Sequence, residues 1–407
     1  MVSTLDDALC AEASSLGGWL PFDAFMELAL HHPTQGYYAV PAGPTGPFGA
    51  CGDFVTAPML GPWMAHAMAR RFEALTDLAA SQGRAGALGL REFGPGTGQL
   101  MADILAVLWS RGVLPERVEL IERSGGLQAR QQDTLRSVLQ ALDPAAWSAL
   151  EPRIVWPARW PEETAPPFDG LALANEVADA LPVKRFEWRG SNDVLEWGVV
   201  RSSRTGEPAW AWESRPAQGP LLEAVMARHA QVADRLGPWR VGHLGEWCPS
   251  LQAWASTAVG NVRWGEMLFI DYGYERLELD HPDRSGGTLA GHQAHRRVDD
   301  PVAWLALPGQ MDLTAHVDFS ALAQAARAGA ASSVVVQTQA AWLLDQGLLD
   351  VATDLLFEGG AGAPPAEPSR LRALSQLQTL LSDDGMGQRF LALTAFRGQP
   401  DPLSPLR

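Results

Sequence analysis

The sequence predicts an α/β protein built on a doubly wound, mostly parallel sheet, with a helical N-terminal extension and an insertion after the fourth strand. Three observations predict it. From about residue 85 onward, short apolar runs alternate with amphipathic stretches. A glycine-rich turn follows directly on the first of those runs. Between the fourth and fifth runs lies a long segment with the marks of short antiparallel strands. Strands spaced by helical segments imply parallel pairing with crossover helices.

The elements follow in order. Residues 22–31 form a short amphipathic helix that stops at the turn-like His32-Pro-Thr-Gln-Gly36. Residues 41–52 are rich in Gly and Pro, and residues 53–58 are loop-like. Residues 63–80 show helical periodicity, with Trp63, Ala67, Met68 and Phe72 on one side. Residues 1–84 form the N-terminal extension and residues 85–407 the main domain. Within that domain the strands are expected at 87–93, 117–122, 153–156, 169–176, 266–272, 333–339 and 390–396. Helices are expected at 100–109 and 128–142. The insertion, about 186–263, carries strand-like pieces at 186–188 and 195–200 and a helix at 221–236. Residues 359–368 read as a loop.

Composition narrows the function classes. The chain has 407 residues, 46% of them hydrophobic, and a net charge of −16. That charge argues against a broad basic surface for nucleic acid. The three cysteines, Cys10, Cys51 and Cys248, are widely spread and make no CxxC pair. A disulfide framework and a structural zinc site are therefore not expected, and a reducing compartment fits. The N-terminal segment lacks a basic start and a long apolar core, and no apolar run approaches a membrane span. The expected location is cytoplasmic, without membrane insertion; a homodimer stays open.

The chemistry begins at Glu92-Phe-Gly-Pro-Gly-Thr-Gly98, between a strand and a helix. Glycines let the backbone turn tightly and approach a ligand, and a carboxylate at a strand end can hold a hydroxyl or an ammonium. A dinucleotide fold would place the third glycine one position later. The observed spacing of Gly94, Gly96 and Gly98, with the acid upstream, resembles the first motif of class I methyltransferases, whose loop accommodates the methionine part of the cofactor. Glu122 ends the second strand, where a carboxylate can accept both ribose hydroxyls. Trp156 and Trp160 follow the third strand, where an adenine could stack or simple packing could place them.

The fourth strand runs into Asn175-Glu176, at the strand end where open α/β sheets bind ligands. Asp179 follows by three, so a helical turn would put both carboxylates on one side, facing a cationic acceptor. The alternative is a helix N-terminus stabilised by acids.

The chain resembles the MidA-like methyltransferases, a family related to the mitochondrial complex I assembly-factor arginine methyltransferase. The resemblance rests on His32-Pro-Thr-Gln-Gly-Tyr-Tyr38, Gly52-Asp-Phe-Val-Thr-Ala-Pro58, the glycine loop and Ala174-Asn-Glu-Val-Ala-Asp-Ala-Leu-Pro182. It continues through Leu268-Phe-Ile-Asp-Tyr-Gly273, Gly287-Thr-Leu289 with His295, and Asp312-Leu-Thr-Ala-His-Val-Asp-Phe319. It implies S-adenosylmethionine as cofactor, held by Glu92, the three glycines, Glu122, Asn175 and Thr56. It also implies a protein arginine as acceptor, on a respiratory complex I subunit or similar client. The sequence departs from the family at Met59-Leu-Gly61, where an acid is usual, and at Val177-Ala178, where two aromatics are usual.

On that reading Glu176 is the main guanidinium clamp, Asp179 a second acid or orienter, and Glu246 in Gly245-Glu-Trp-Cys-Pro249 a third. His295, His316 and Asp318 are candidate acceptor contacts, the last two alternating along an extended segment. Asp312 suits a cap. His31-His32 and His292 with His295 have metal-like spacing but no convincing third ligand, so no metal is expected. A small-molecule acceptor, a cofactor-binding assembly chaperone without turnover, and a nicotinamide dehydrogenase are the competing readings.

Overall fold

The computed structural model describes residues 4–39, 60–84, 86, 88–157, 160–161, 167–191, 193–202, 209–294, 296–358 and 365–398. The chain divides into two compact units. One comprises Met1–Phe54, Ala178–Ala253 and Gly273–Leu322; the other comprises Val55–Val177, Trp254–Tyr272 and Ala323–Arg407.

The second unit holds the main sheet. Its elements include helix α1 (Trp63–Ser81), strand β1 (Gly89–Phe93), helix α2 (Gln99–Ser110), β2 (Val118–Ile121), helix α3 (Gly125–Leu142), β3 (Ile154–Val155), β4 (Phe168–Asn175), β5 (Val262–Tyr274), β6 (Ser333–Thr338) and β7 (Phe390–Arg397). The strand order is β6-β7-β5-β4-β1-β2-β3. Neighbours from β5 to β3 pair in parallel. Strand β7 lies antiparallel between β5 and β6, so the sheet is mixed, with most of its neighbours parallel.

All five residues of β1 are buried, as in a strand covered on both faces. Helix α1 faces the sheet with Trp63, Met64, Met68, Phe72 and Leu75, which join Leu90, Leu120, Leu171 and Leu268 in one apolar core. Burial of each large side chain is worth about 1.5–3 kcal/mol. Arg71 on α1 enters that core and donates from Nε to Glu266 Oε2 on β5 at 2.9 Å. Ser124 caps α3 by accepting from the Leu127 N–H.

The first unit is built from separated stretches. Helix Leu5–Ser15 starts at a capping box between Thr4 and Asp7. Helix Phe22–His31 buries Phe22, Phe25, Met26 and Leu30. Strand Trp19–Pro21 pairs antiparallel with Asp193–Arg201. The latter also pairs with Lys184–Gly190 and Trp210–Pro216, and His243–Trp247 closes this five-stranded sheet. The strand-like pieces expected at 186–188 and 195–200 thus belong to longer strands, and the helix expected at 221–236 spans Gly219–Leu236. A second small sheet joins Ala290–Gln293 to Arg296–Val298 and Asp312–Thr314. The segment expected to be extended through 318 breaks at Ala315 and His316 into strands Asp312–Thr314 and Val317–Asp318.

Candidate active site

In the second unit, the polar groups gather where β1, β2 and β4 end. The chain leaves β1 through Gly94, Gly96 and Gly98, all in the left-handed region with φ of 58°, 51° and 80°. A Cβ on Gly98 would stand 3.1 Å from Gln131 Cα, and one on Gly94 would stand 3.0 Å from Val177 Cγ2. Conformation and space together require glycine at these two positions.

Glu92 precedes the loop and is buried, and its Oε2 has no partner among the described residues. Burial pushes its carboxyl up to about 8. A buried acceptor without a donor is costly, so this one suits a ligand that brings a donor. Asn175 Oδ1, at the end of neighbouring β4, is a second buried acceptor of the same kind. Its Nδ2 donates to Glu176 Oε1 at 3.3 Å. Glu122, at the end of β2, accepts from the Ser124 N–H at 2.8 Å through Oε1 and from Gln131 Nε2 at 3.1 Å through Oε2. Burial raises its pKa, against those hydrogen bonds. Acceptors on three neighbouring strand ends, beside a glycine loop, fit a ligand carrying an ammonium and hydroxyls.

Glu176 follows β4 with φ of 54°, a left-handed backbone rare outside glycine. Its N–H donates to Ile270 O at 2.9 Å, and the Val177 N–H donates to Asp271 Oδ2 at 3.2 Å. Asp271, on β5 and 2% exposed, also accepts from the Tyr272 N–H. The sequence assigns it no role, although it lies in the string 268–273. Residues 176–181 form bends and a turn rather than a helix. The helical turn expected to align Glu176 with Asp179 is therefore not formed. The left-handed Glu176 and the nearby Pro182 both disfavour it.

The remaining candidates lie in the first unit. Asp179 is buried, and its carbonyl accepts from the Ala315 N–H at 3.0 Å. The Tyr38 hydroxyl donates to Asp312 Oδ1 at 2.8 Å. Burial, with Asp312 and Asp179 nearby, holds that hydroxyl well above the ordinary phenol range. Glu246 Oε2 accepts from the Thr288 N–H at 2.7 Å and from Thr288 Oγ1 at 3.0 Å. The Thr288 hydroxyl in turn accepts from the His316 N–H at 3.1 Å. Thr288 thus joins two expected site residues that the sequence leaves 70 apart. Burial, with Arg297, Arg284 and His292 nearby, pushes His316 down to about 4 and keeps it neutral near pH 7. Glu246 and His316 both line a small cleft, of about 10 Å³, with Arg228, His243 and Thr288. Asp318 is engaged elsewhere: Oδ2 accepts from Arg276 Nε at 2.6 Å, and Oδ1 from the Ala321 N–H at 2.9 Å.

Thr56 and His295 lie outside the described residues. No group of three or more His, Cys, Asp and Glu side chains that could hold a metal occurs among the described residues. Nδ1 of His32 serves the turn by accepting from the Gln35 N–H at 3.3 Å. No helix is long and apolar enough to cross a membrane among the described residues. Trp160 packs edge-on against Phe93 with ring centroids 4.7 Å apart, and Trp156 donates from Nε1 to Gln131 Oε1 at 2.9 Å.

Comparison with known proteins identifies the family. A sequence profile of S-adenosyl-L-methionine-dependent methyltransferases, Methyltransf_28, matches residues 68–337. Protein arginine methyltransferase NDUFAF7, mitochondrial, of Mus musculus is 29% identical over 378 residues, covering 90% of this chain and 78% of that protein. The protein of the same name from Homo sapiens is 28% identical, covering 90% and 77%. A crystal structure from Burkholderia thailandensis, bound to S-adenosyl-homocysteine, superposes with a TM-score of 0.79 at 31% identity, covering 98% of this chain and 92% of that one. With its glycine loop and waiting acceptors, the chain belongs to this family of S-adenosyl-L-methionine-dependent methyltransferases and takes S-adenosylmethionine as its cofactor.

Proposed function

We propose that the protein methylates an arginine of a protein client, on a subunit of a respiratory NADH dehydrogenase or a similar assembly client. The names of the curated relatives support an arginine acceptor. The observation that carries the reading is the backbone of Glu176, held left-handed at a strand end by Ile270 O. Such strain costs on the order of 1–3 kcal/mol and persists where the aim of a side chain matters. On the same reading the sheet is a Rossmann-like class I methyltransferase sheet, residues 186–263 are an insertion after its fourth strand, and the protein works in the cytoplasm.

S-adenosylmethionine supplies a methyl group on a sulfonium. Glu92 and Asn175 would hold its amino-acid part and Glu122 its ribose. Arginine stays protonated, so the protein's task is to hold and polarise the guanidinium rather than to deprotonate it first. Glu176 takes one side of the guanidinium, drawing positive charge to the nitrogens it contacts and leaving lone-pair density on the remote one. Positioning of this kind supplies much of the acceleration.

The test is incubation of a cell lysate with isotopically labelled S-adenosylmethionine, with and without the enzyme. Mass spectrometry should then find a new methyl group on an arginine. Labelling confined to small metabolites would overturn the reading.

The Glu92 carboxyl makes a pH prediction. It ionises near 4.5 in an unfolded chain and near 8 in the fold. Its contribution to stability therefore falls as pH rises from about 4.5 to about 8. An ammonium beside it favours the ionised form, so binding should release a proton from it below pH 8. Affinity for S-adenosylhomocysteine should rise toward pH 8, and Glu92→Gln should remove the Glu92 share of that slope. Calorimetry in buffers of different ionisation heat reads the protons released; equal release by both proteins sinks the assignment.

A further inference from the structure

Gln131 is fully buried on α3, in one stripe with Leu135 and Leu139. A third apolar residue would be the simple occupant of that position. Burying an amide there without partners would be costly. Both ends of the amide are instead used. Nε2 donates to Gly96 O at 3.0 Å and to Glu122 Oε2 at 3.1 Å, and Oε1 accepts from Trp156 Nε1 at 2.9 Å. One side chain thus ties together the glycine loop after β1, the acid that ends β2 and the indole that follows β3.

We propose that Gln131 is a positioning residue for the cofactor, fixing the Glu122 carboxylate so that it grips the two ribose hydroxyls at once. A carboxylate that holds a cis-diol needs its rotation set, so that both oxygens face the two hydroxyls. The Ser124 N–H on Oε1 and Gln131 Nε2 on Oε2 set the rotation, and the Arg123 backbone N–H adds a further donor to the same carboxylate. The bond to Gly96 O keeps the loop in register with that carboxylate. The inference rests on Glu122 as the ribose acid.

The experiment compares binding of S-adenosylhomocysteine with that of its 2′-deoxyribose analogue by calorimetry. A hydrogen bond to a charged group makes the wild-type preference for the ribose form on the order of 10- to 100-fold. In Gln131→Leu, which refills the stripe, the preference should collapse to about threefold or less. A packing role alone would leave the ratio intact. Gln131→Glu keeps the shape but sets a second carboxylate against Glu122. It should also lose the preference at pH 8 and regain part of it at pH 5.5, where a shared proton restores one donor; it decides the matter if the leucine variant does not fold. Glu122→Ala separates the two ideas. If it keeps the wild-type ratio, the ribose reading of Glu122 fails. If it loses the ratio while a folded Gln131 variant keeps it, the positioning role of Gln131 is overturned.

Discussion

Glu176→Gln is expected to lower kcat/KM for the protein acceptor by about 30-fold to several thousand-fold, because removing one partner of a desolvated charge pair costs about 2–5 kcal/mol. Glutamine keeps the length of the side chain and an oxygen that can accept from Asn175 Nδ2, which stands 3.3 Å from Glu176 Oε1. It also leaves the backbone bond to Ile270 O in place. Binding of S-adenosylhomocysteine should therefore change little. Kinetics on the labelled acceptor and calorimetry on the cofactor make the comparison. Undiminished transfer to arginine by the glutamine variant would remove Glu176 from the site.

The largest stability effect is expected at Arg71. Its guanidinium and the Glu266 carboxylate form an ion pair inside the apolar core, with Arg71 7% and Glu266 0% exposed. Arg71→Met strands a buried carboxylate and should cost about 3–5 kcal/mol. At roughly 2–4 °C per kcal/mol, that is a fall in Tm of about 6–20 °C. Arg71→Met with Glu266→Leu removes the stranded charge and should recover most of the loss. Calorimetric melting of both variants checks this, and a double variant no more stable than the single one would show that the pair itself carries the stability.

Much of this is legible in the sequence because the signals are local. The Glu92–Gly98 turn, the seven strands and the helix 22–31 rest on short-range periodicity and glycine spacing. The Thr4-x-x-Asp7 box before helix Leu5–Ser15 is a readable signal of the same kind. The antiparallel seat of β7 is not legible, since no residue in a strand names its neighbour. Gln131 is hidden for a related reason: a lone polar residue in a helical stripe reads as surface until its three partners are known. Asp318 looks available from its spacing because nothing in the sequence reveals Arg276 42 residues earlier. Asp179 is expected on a helical turn because spacing does not disclose the left-handed residue before it.

The interleaving of the two units has a consequence for how the chain is made. Residues 55–177 form one unbroken stretch that already carries β1 to β4, the glycine loop and Glu176. The helix Phe22–His31 is synthesised earlier, yet the neighbouring Trp19 pairs with Val200, about 180 residues further on. At about 5–20 residues per second the ribosome takes roughly 10–40 s to deliver that partner. For that interval Phe22, Phe25, Met26 and Leu30 have no finished sheet to cover them, which makes the nascent N-terminal segment a natural client for a chaperone.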